Sequence, residues 1–246
     1  MRYFFRVEYD GSNYNGWQRQ ETGVPSIQET LEKAISLITR QPCTVTGAGR
    51  TDTGVHARRQ GAHTDLTLEI DERLCEKGIN AVLPWDISIY NLRRVDDDFH
   101  ARFSACERLY RYYISTRKAG LSYNRAWQLF QKVDWDRIRE QMMHLPGKHD
   151  FKTFCATGSS NDNTVCTVRD VGLVNTGSQW VFSIAADRFV YRMVRSVVGT
   201  LVDIGAGRRG DTMDQIILAA RRQTAGRTAP ACGLYLENVI YPGMNS

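Results

Sequence analysis

The chain has 246 residues, 42% hydrophobic and 24% charged, which suits one large domain or two closely packed halves and excludes a disordered chain. It carries a formal net charge of +5 and six scattered cysteines (Cys43, Cys75, Cys106, Cys155, Cys166 and Cys232) without a C-x-x-C pair, arguing against both a disulfide framework and a zinc site. No apolar run is long enough for a signal peptide or a membrane span, so a cytoplasmic protein is expected.

In chain order, Tyr3, Phe5, Val7 and Tyr9 alternate with Phe4, Arg6 and Glu8, the pattern of a half-buried strand over 2–9. A helix follows, opened by Ser26 with Glu29 three positions on, its apolar stripe being Ile27, Leu31, Ala34, Ile35 and Ile38. Short strands are predicted at 44–48 and 62–66, either side of a glycine-rich segment, and a weaker helix at 71–80. The Asp96-Asp97-Asp98 run reads as a solvated turn. Residues 107–116 form a strand with Tyr110, Tyr112 and Ile114 on one face and Leu109, Arg111 and Tyr113 on the other. A helix begins near Asp134, and Trp180, Phe182, Ile184 and Ala186 mark another strand. Val190, Met193, Val194, Val197, Leu201 and Ile204 predict a helix over 188–204, with Arg188, Arg192 and Arg195 together on its opposite side. A helix at 211–222 and a strand at 233–239 follow. Without a regular βαβ rhythm, the expected fold class is α+β, a mixed, largely antiparallel sheet flanked by helices. A boundary near Ser104 divides the chain into halves 1–104 and 105–246; no residue-level repeat relates them.

Arginine dominates the positive charge: 6 of the 32 basic residues are lysine and 26 are arginine. Guanidinium groups fork onto phosphates and stack on bases, a weak pointer to nucleic acid that genomic base composition would also produce. The pairs at 58–59, 93–94, 208–209 and 221–222 are candidate phosphate contacts.

The segment Gly47-Ala48-Gly49-Arg50-Thr51-Asp52-Thr53-Gly54-Val55-His56-Ala57 stands out on physical grounds. Three glycines in eight residues permit positive φ and close backbone approach, with Arg50, Asp52 and His56 as the polar side chains. Such a loop can present one carboxylate to a substrate; composition alone equally describes a structural turn whose aspartate satisfies local amides. It lacks the Gly-Lys-Ser/Thr ending of a P-loop and the full G-x-G-x-x-G spacing. His56, His63 and His100 form no i, i+4 pair, and Asp52 with the aspartate run provides no paired ligands at metal spacing, so no metal site is expected.

The loop closely resembles the G-R-T-D-x-G-V-H-A signature of the TruA-type tRNA pseudouridine synthases. The likeness extends along the chain: Tyr9-Asp10-Gly11-Ser12 with Gly16-Trp17-Gln18-Arg19-Gln20, then Phe99-His100-Ala101-Arg102-Phe103-Ser104-Ala105, then Arg108-Leu109-Tyr110-Arg111-Tyr112. His149-Asp150-Phe151, Met193-Val194-Arg195-Ser196-Val197-Val198-Gly199 and Thr228-Ala229-Pro230-Ala231-Cys232-Gly233-Leu234-Tyr235-Leu236 continue the family order. The resemblance implies two similar α/β halves forming one catalytic fold, 1–104 with the aspartate loop and 105–246 with the tyrosine strand and arginine helix. It makes Asp52 the nucleophile, Tyr110 the ring that stacks on the target uracil, and Arg195 the ion-pair partner of Asp52. Arg50 resembles the arginine that intrudes into the RNA, Leu234 an apolar pocket position, and Arg58, Arg188 and Arg192 are further candidates for binding the substrate. On pattern alone, Tyr110 reads as a core-packed strand aromatic and Arg195 as an exposed helix residue.

The implied reaction isomerises uridines 38, 39 and 40 of the tRNA anticodon stem-loop without a cofactor, in a homodimer that shares the RNA surface. Three first steps fit a carboxylate: attack at C1′, attack at C6, or removal of the 2′ proton. The sequence departs from the family pattern at Thr53, where alanine is usual, and at Ala186-Asp187-Arg188, where a glycine-containing stretch is common.

Overall fold

The computed structural model describes residues 1–20, 23–158 and 163–244. In chain order its main elements are β1 (Arg2–Tyr9), α1 (Ile27–Thr39), β2 (Val45–Gly47), β3 (His56–Asp65), α2 (Glu72–Val82), β4 (Ile87–Val95) and β5 (Glu107–Ser115). There follow β6 (Trp127–Gln128), α3 (Trp135–Met142), β7 (Gly147–Asp150), β8 (Val165–Asn175), β9 (Trp180–Ala186), α4 (Met193–Gly205), α5 (Met213–Leu218) and β10 (Leu234–Ile240). This is the expected α+β class: most strand pairs are antiparallel, and β3–β10 and β5–β6 are parallel. Contacts divide the chain into two compact units, one from Met1 to Cys106 together with the segment from Tyr235 on, the other from Glu107 to Leu234.

In the first unit β1 lies between β3 and β4, antiparallel to both. The alternation over 2–9 suggests one wet face, yet Tyr3 to Val7 are all buried, Arg6 included, at 4% exposure. Arg6 is tolerated there because its guanidinium lies 5.3 and 5.4 Å from the Phe4 and Tyr241 rings and donates to the Val239 carbonyl at 2.8 Å. A bulge separates the Phe4–Arg93 and Arg6–Tyr90 pairs, and Asn91 in that stretch takes a left-handed φ of 56°. Ser26 caps α1 by accepting the Glu29 amide, and Asp71 caps α2 by accepting the Leu74 amide, as capping by short polar side chains requires.

The exposed aspartate run is held by Arg2. Its amide donates to Asp97 Oδ1, its NH1 to the Asp97 and Phe99 carbonyls, and its other nitrogens form a fork onto Asp65, both bonds at 2.8 Å. His63 and His100 meet edge to face at 4.9 Å, and each Nδ1 accepts backbone amides, from Ala101 and from Arg102 and Phe103. Burial, then the charges of Arg2 and His100, push the His63 pKa down to about 4. Between that value and the ordinary value of 6.5 the unfolded chain binds the proton and the folded chain refuses it, so stability is whole above pH 6.5 and declines as pH falls towards 4. The site is expected to cost about 3 kcal/mol over that window, from about 1.4 kcal/mol per pH unit. His63→Asn, which keeps an acceptor near the Nδ1 position, should flatten the dependence of urea-unfolding free energy on pH between 7 and 4; a slope as steep as that of the wild type would refute the assignment.

In the second unit β9 pairs with β5 and β8, all antiparallel, and β7 pairs with β8. Tyr110, Tyr112 and Ile114 stand opposite Ile184, Phe182 and Trp180, in line with the face assignment. Asp134 caps α3, whose Trp135 ring stacks on Trp180 at 4.4 Å. The helix predicted over 188–204 begins only at Met193, because Arg192 adopts φ 60°, ψ 13°, a left-handed conformation that stops a right-handed helix from extending backwards. From Ser196 on, α4 is buried all round, so no arginine face exists along it. The next helix ends at Leu218, four residues short of expectation at 222; Ala220, two residues on, has a φ of 48°.

Candidate active site

In the first unit, β2 and β3 pair as far as Gly47–Ala62, and the segment from Ala48 to Val55 connects them. The connection runs back along β3: the Ala48 amide donates to the Gly61 carbonyl at 2.8 Å, and the Gln60 side chain donates to the Gly49 carbonyl at 2.7 Å. Asp52 opens a turn closed by the Val55 amide on its carbonyl at 3.1 Å, which Gly54 enables at φ 77°. Of the three loop glycines only Gly54 uses the left-handed region; Gly47 is there for contact, because a Cβ would come within 2.6 Å of the Trp17 indole.

The opening motif grips this loop. The Trp17 amide donates to the Thr51 carbonyl at 3.1 Å, and the Tyr9 and Thr51 hydroxyls share a 2.8 Å hydrogen bond. Thr53, the departure from the family pattern, donates its hydroxyl to Asn15 Oδ1 at 2.7 Å, adding another tie to the same segment. His56 is buried, stacked on Tyr235 at 4.5 Å, with Nδ1 3.1 Å from the Asp10 carboxylate. It is a brace behind the loop. Asp52 itself is half-buried and Arg50 exposed, so the loop turns polar groups outward from a fixed base. Arg58, on β3, lies over the Tyr235 ring at 5.7 Å and 3.5 Å from Glu237, a carboxylate that offsets part of its charge.

In the second unit Tyr110 is half-buried, with the Phe189 ring edge-on to it at 5.0 Å and 83°. Its neighbour Tyr112 is the core residue of the motif, fully buried and donating its hydroxyl to the Pro230 carbonyl at 2.7 Å; burial raises its pKa far above the usual value for a phenol. Arg195 sits in the first turn of α4 and is tied twice to Ala229: its carbonyl accepts the Ala229 amide at 3.0 Å, and its Nε donates to the Ala229 carbonyl at 2.8 Å. The helix motif and the Thr228–Leu236 motif thus meet, and the second fixes the arginine of the first. Arg192, the residue before α4, is exposed over the Tyr191 ring at 4.9 Å. Arg188 precedes the helix and donates to the Asn163 carbonyl at 3.0 Å, while Asp187 accepts the Thr167 amide at 2.8 Å. Leu234 is buried at the start of β10.

Asp52, Arg50 and Arg58 thus share the first unit, and Tyr110, Arg188, Arg192, Arg195 and Leu234 the second. Several candidate phosphate contacts have carboxylate partners: Arg94 with Glu69, Arg208 with Asp203 and Arg209 with Asp211. Sequence reasoning missed Gln60, Phe189 and Ala229. Gln60 lies outside the strand predicted at 62–66, nothing in the pattern marks Phe189, and Ala229 falls in the Thr228–Leu236 motif without a role of its own. Among the described residues, no three His, Cys, Asp or Glu side chains gather as metal ligands, and no helix is long and apolar enough to cross a membrane.

The chain matches the family model described as tRNA pseudouridine synthase over residues 6–104 and 142–242. It is 42% identical to tRNA pseudouridine synthase A of Porphyromonas gingivalis, covering 98% of this chain and 97% of the relative. It is 41% identical to tRNA pseudouridine synthase A of Acetivibrio thermocellus, covering 96% and 97%. Among solved structures, a chain of a Cbf5-Nop10-Gar1 complex is similar at a TM-score of 0.43 and 11% identity, over 95% of this chain and 48% of that one. With matched segments that take in the Asp52 loop and the Arg195 helix motif, and identity above 40% along nearly the whole length, the chain belongs to the tRNA pseudouridine synthase family.

Proposed function

We propose that the protein converts uridine to pseudouridine at positions 38, 39 and 40 in the anticodon stem-loop of tRNA, with Asp52 as the nucleophile. As a member of its family it is an isomerase acting on tRNA uridine. The observation that carries the finer reading is the mounting of Asp52, a half-buried carboxylate on a turn whose backbone is held by Val55, Trp17 and, through Gly49, Gln60.

The reaction breaks the bond from C1′ to N1, turns the uracil and forms the bond from C1′ to C5, while a proton leaves C5 and another joins N1. Nothing is oxidised and nothing is added, so no cofactor is required. A detached base must be retained throughout, and a flat ring such as Tyr110 holds uracil while letting it rotate in plane. Arg195 is the ion-pair partner of the Asp52 carboxylate. The target leaves its stack at a cost of a few kcal/mol, offset by contacts from Arg50, which enters the RNA, and from Arg58, Arg188 and Arg192 on phosphates. Leu234 lines the base pocket. In this reading residues 1–104 contribute the aspartate loop and 105–246 the tyrosine strand and arginine helix, and the enzyme works as a cytoplasmic homodimer.

Mapping pseudouridine in tRNA from cells lacking the protein tests the assignment. Loss of the modification at 38, 39 and 40, restored by the wild-type gene, is the expected result, and its persistence at those positions would sink it.

A further inference from the structure

Four of the five tryptophans pack against the protein: Trp17 and Trp127 are buried, and Trp135 and Trp180 stack on each other. Trp85 is fully exposed. It sits at the tip of the connection between α2 and β4, and that connection is rigid. The Ile87 amide closes on the Pro84 carbonyl at 3.0 Å, and Asp86 is bound twice to the opening motif, its carbonyl accepting the Asp10 amide at 2.9 Å and its carboxylate the Tyr14 hydroxyl at 2.6 Å.

The sheet register gives that tip its neighbourhood. Tyr9 at the end of β1 stands opposite both Ala57 near the start of β3 and Ile87 at the start of β4. The loops bearing Asp10, Asp52 and Trp85 therefore leave the same end of the sheet. They also touch in sequence: Asp86 holds Asp10 and Tyr14, and Gly11 lies so close to the 52–55 turn that a Cβ there would be 2.0 Å from the Val55 carbonyl oxygen. A wide indole on a hydrogen-bonded loop, itself without an intramolecular ring contact among the described residues, stands within one loop of the proposed nucleophile.

We propose that Trp85 is a stacking platform for an unpaired nucleobase of the tRNA, close to the target uridine. The proposal rests on the reading of the Asp52 loop as substrate-facing. An unpaired base is the fitting occupant for three reasons. An indole presents a wide flat face and has only two side-chain torsions to fix on stacking. Every base has a π-face, so stacking tolerates the sequence variety of tRNA loops. The chain's net charge of +5 favours RNA as a partner overall, and the indole shares its end of the sheet with the Asp52 loop, where that RNA would sit.

The test uses the full chain as wild type, Trp85→Phe and Trp85→Ala, with an unmodified tRNA transcript. Measured are Kd, the single-turnover rate at saturating tRNA, and the mass in solution. Trp85→Ala is expected to weaken binding roughly thirtyfold, the middle of the range for loss of one base stack, with the saturated rate within about twofold of wild type. Trp85→Phe should bind within about threefold, and the tRNA-induced quenching of indole emission expected of the wild type should shrink in both variants. Wild-type affinity in Trp85→Ala overturns the proposal. So does a fall in mass together with the loss of affinity, which assigns Trp85 to a contact between two copies. Because Trp85 is fully exposed, neither variant disturbs the core. A wild-type enzyme that leaves tRNA unmodified would overturn the functional reading instead; an active one with unchanged Trp85→Ala binding overturns this inference alone.

Discussion

Asp52→Asn is expected to lower turnover by roughly 10⁴-fold or more while tRNA affinity stays within about threefold. The amide has the shape of the carboxylate but neither its charge nor its nucleophilicity. The bonds that mount the turn are made by backbone groups, the Asp52 carbonyl with the Val55 amide and the Thr51 carbonyl with the Trp17 amide, so the substitution leaves them in place. Affinity for RNA comes mainly from phosphate contacts spread over a surface, and one anionic side chain contributes little to it. Single-turnover assays, with filter binding on the same preparation and mass spectrometry to exclude deamidation back to aspartate, measure both quantities. Conversion at the wild-type rate by intact, folded Asp52→Asn protein would remove the central claim.

Tyr110→Ala should reduce kcat by roughly 100-fold, because in the proposed mechanism it deletes the face on which the detached uracil turns. Tyr110→Phe keeps that face and keeps the edge contact with Phe189 at 5.0 Å, removing only the hydroxyl. If the ring acts as a platform, the phenylalanine variant works within about threefold of wild type; if both variants are inactive with tRNA still bound, the hydroxyl moves a proton, a role worth about 10² to 10⁴ in rate. The alanine variant also loses an aromatic pair worth about 0.5 to 1.5 kcal/mol, so its Tm is measured beside its rate.

Elements with an unbroken period or a side-chain cap were legible from sequence: β1, α1 with Ser26, β5, α3 with Asp134, and β9. Those that escaped are interrupted. In β4 the left-handed Asn91 shifts the alternation by one residue, and in β8 the register slips between Val168 and Asp170, so neither strand shows a clean period of two. The start of α4 was misjudged because Arg192 fits the helical spacing in sequence while its backbone is left-handed, a conformation that periodicity does not encode. At the site, the glycine spacing and the isolated Asp52 were visible as a loop, but only the resemblance gave that aspartate, Tyr110 and Arg195 a joint purpose. What positions them, the Gln60 amide on Gly49 and the paired bonds from Ala229 to Arg195, depends on contacts between residues distant in sequence.

The strand β10 has a consequence for how the protein is made. It lies beside β3 at His56 and Ala57, immediately after the loop that carries Asp52, and its Val239 carbonyl receives the buried Arg6 across 233 residues of chain. Ribosomes add about 5 to 20 residues per second, so the aspartate loop is synthesised many seconds before the strand that backs it. Throughout that interval a nascent chain carries an open strand edge at His56 and an arginine without its carbonyl acceptor, both open to chaperones and proteases. A message cut short before Tyr235 would yield a chain that never closes this edge. The arrangement makes synthesis of β10 a condition for bracing the loop that carries Asp52.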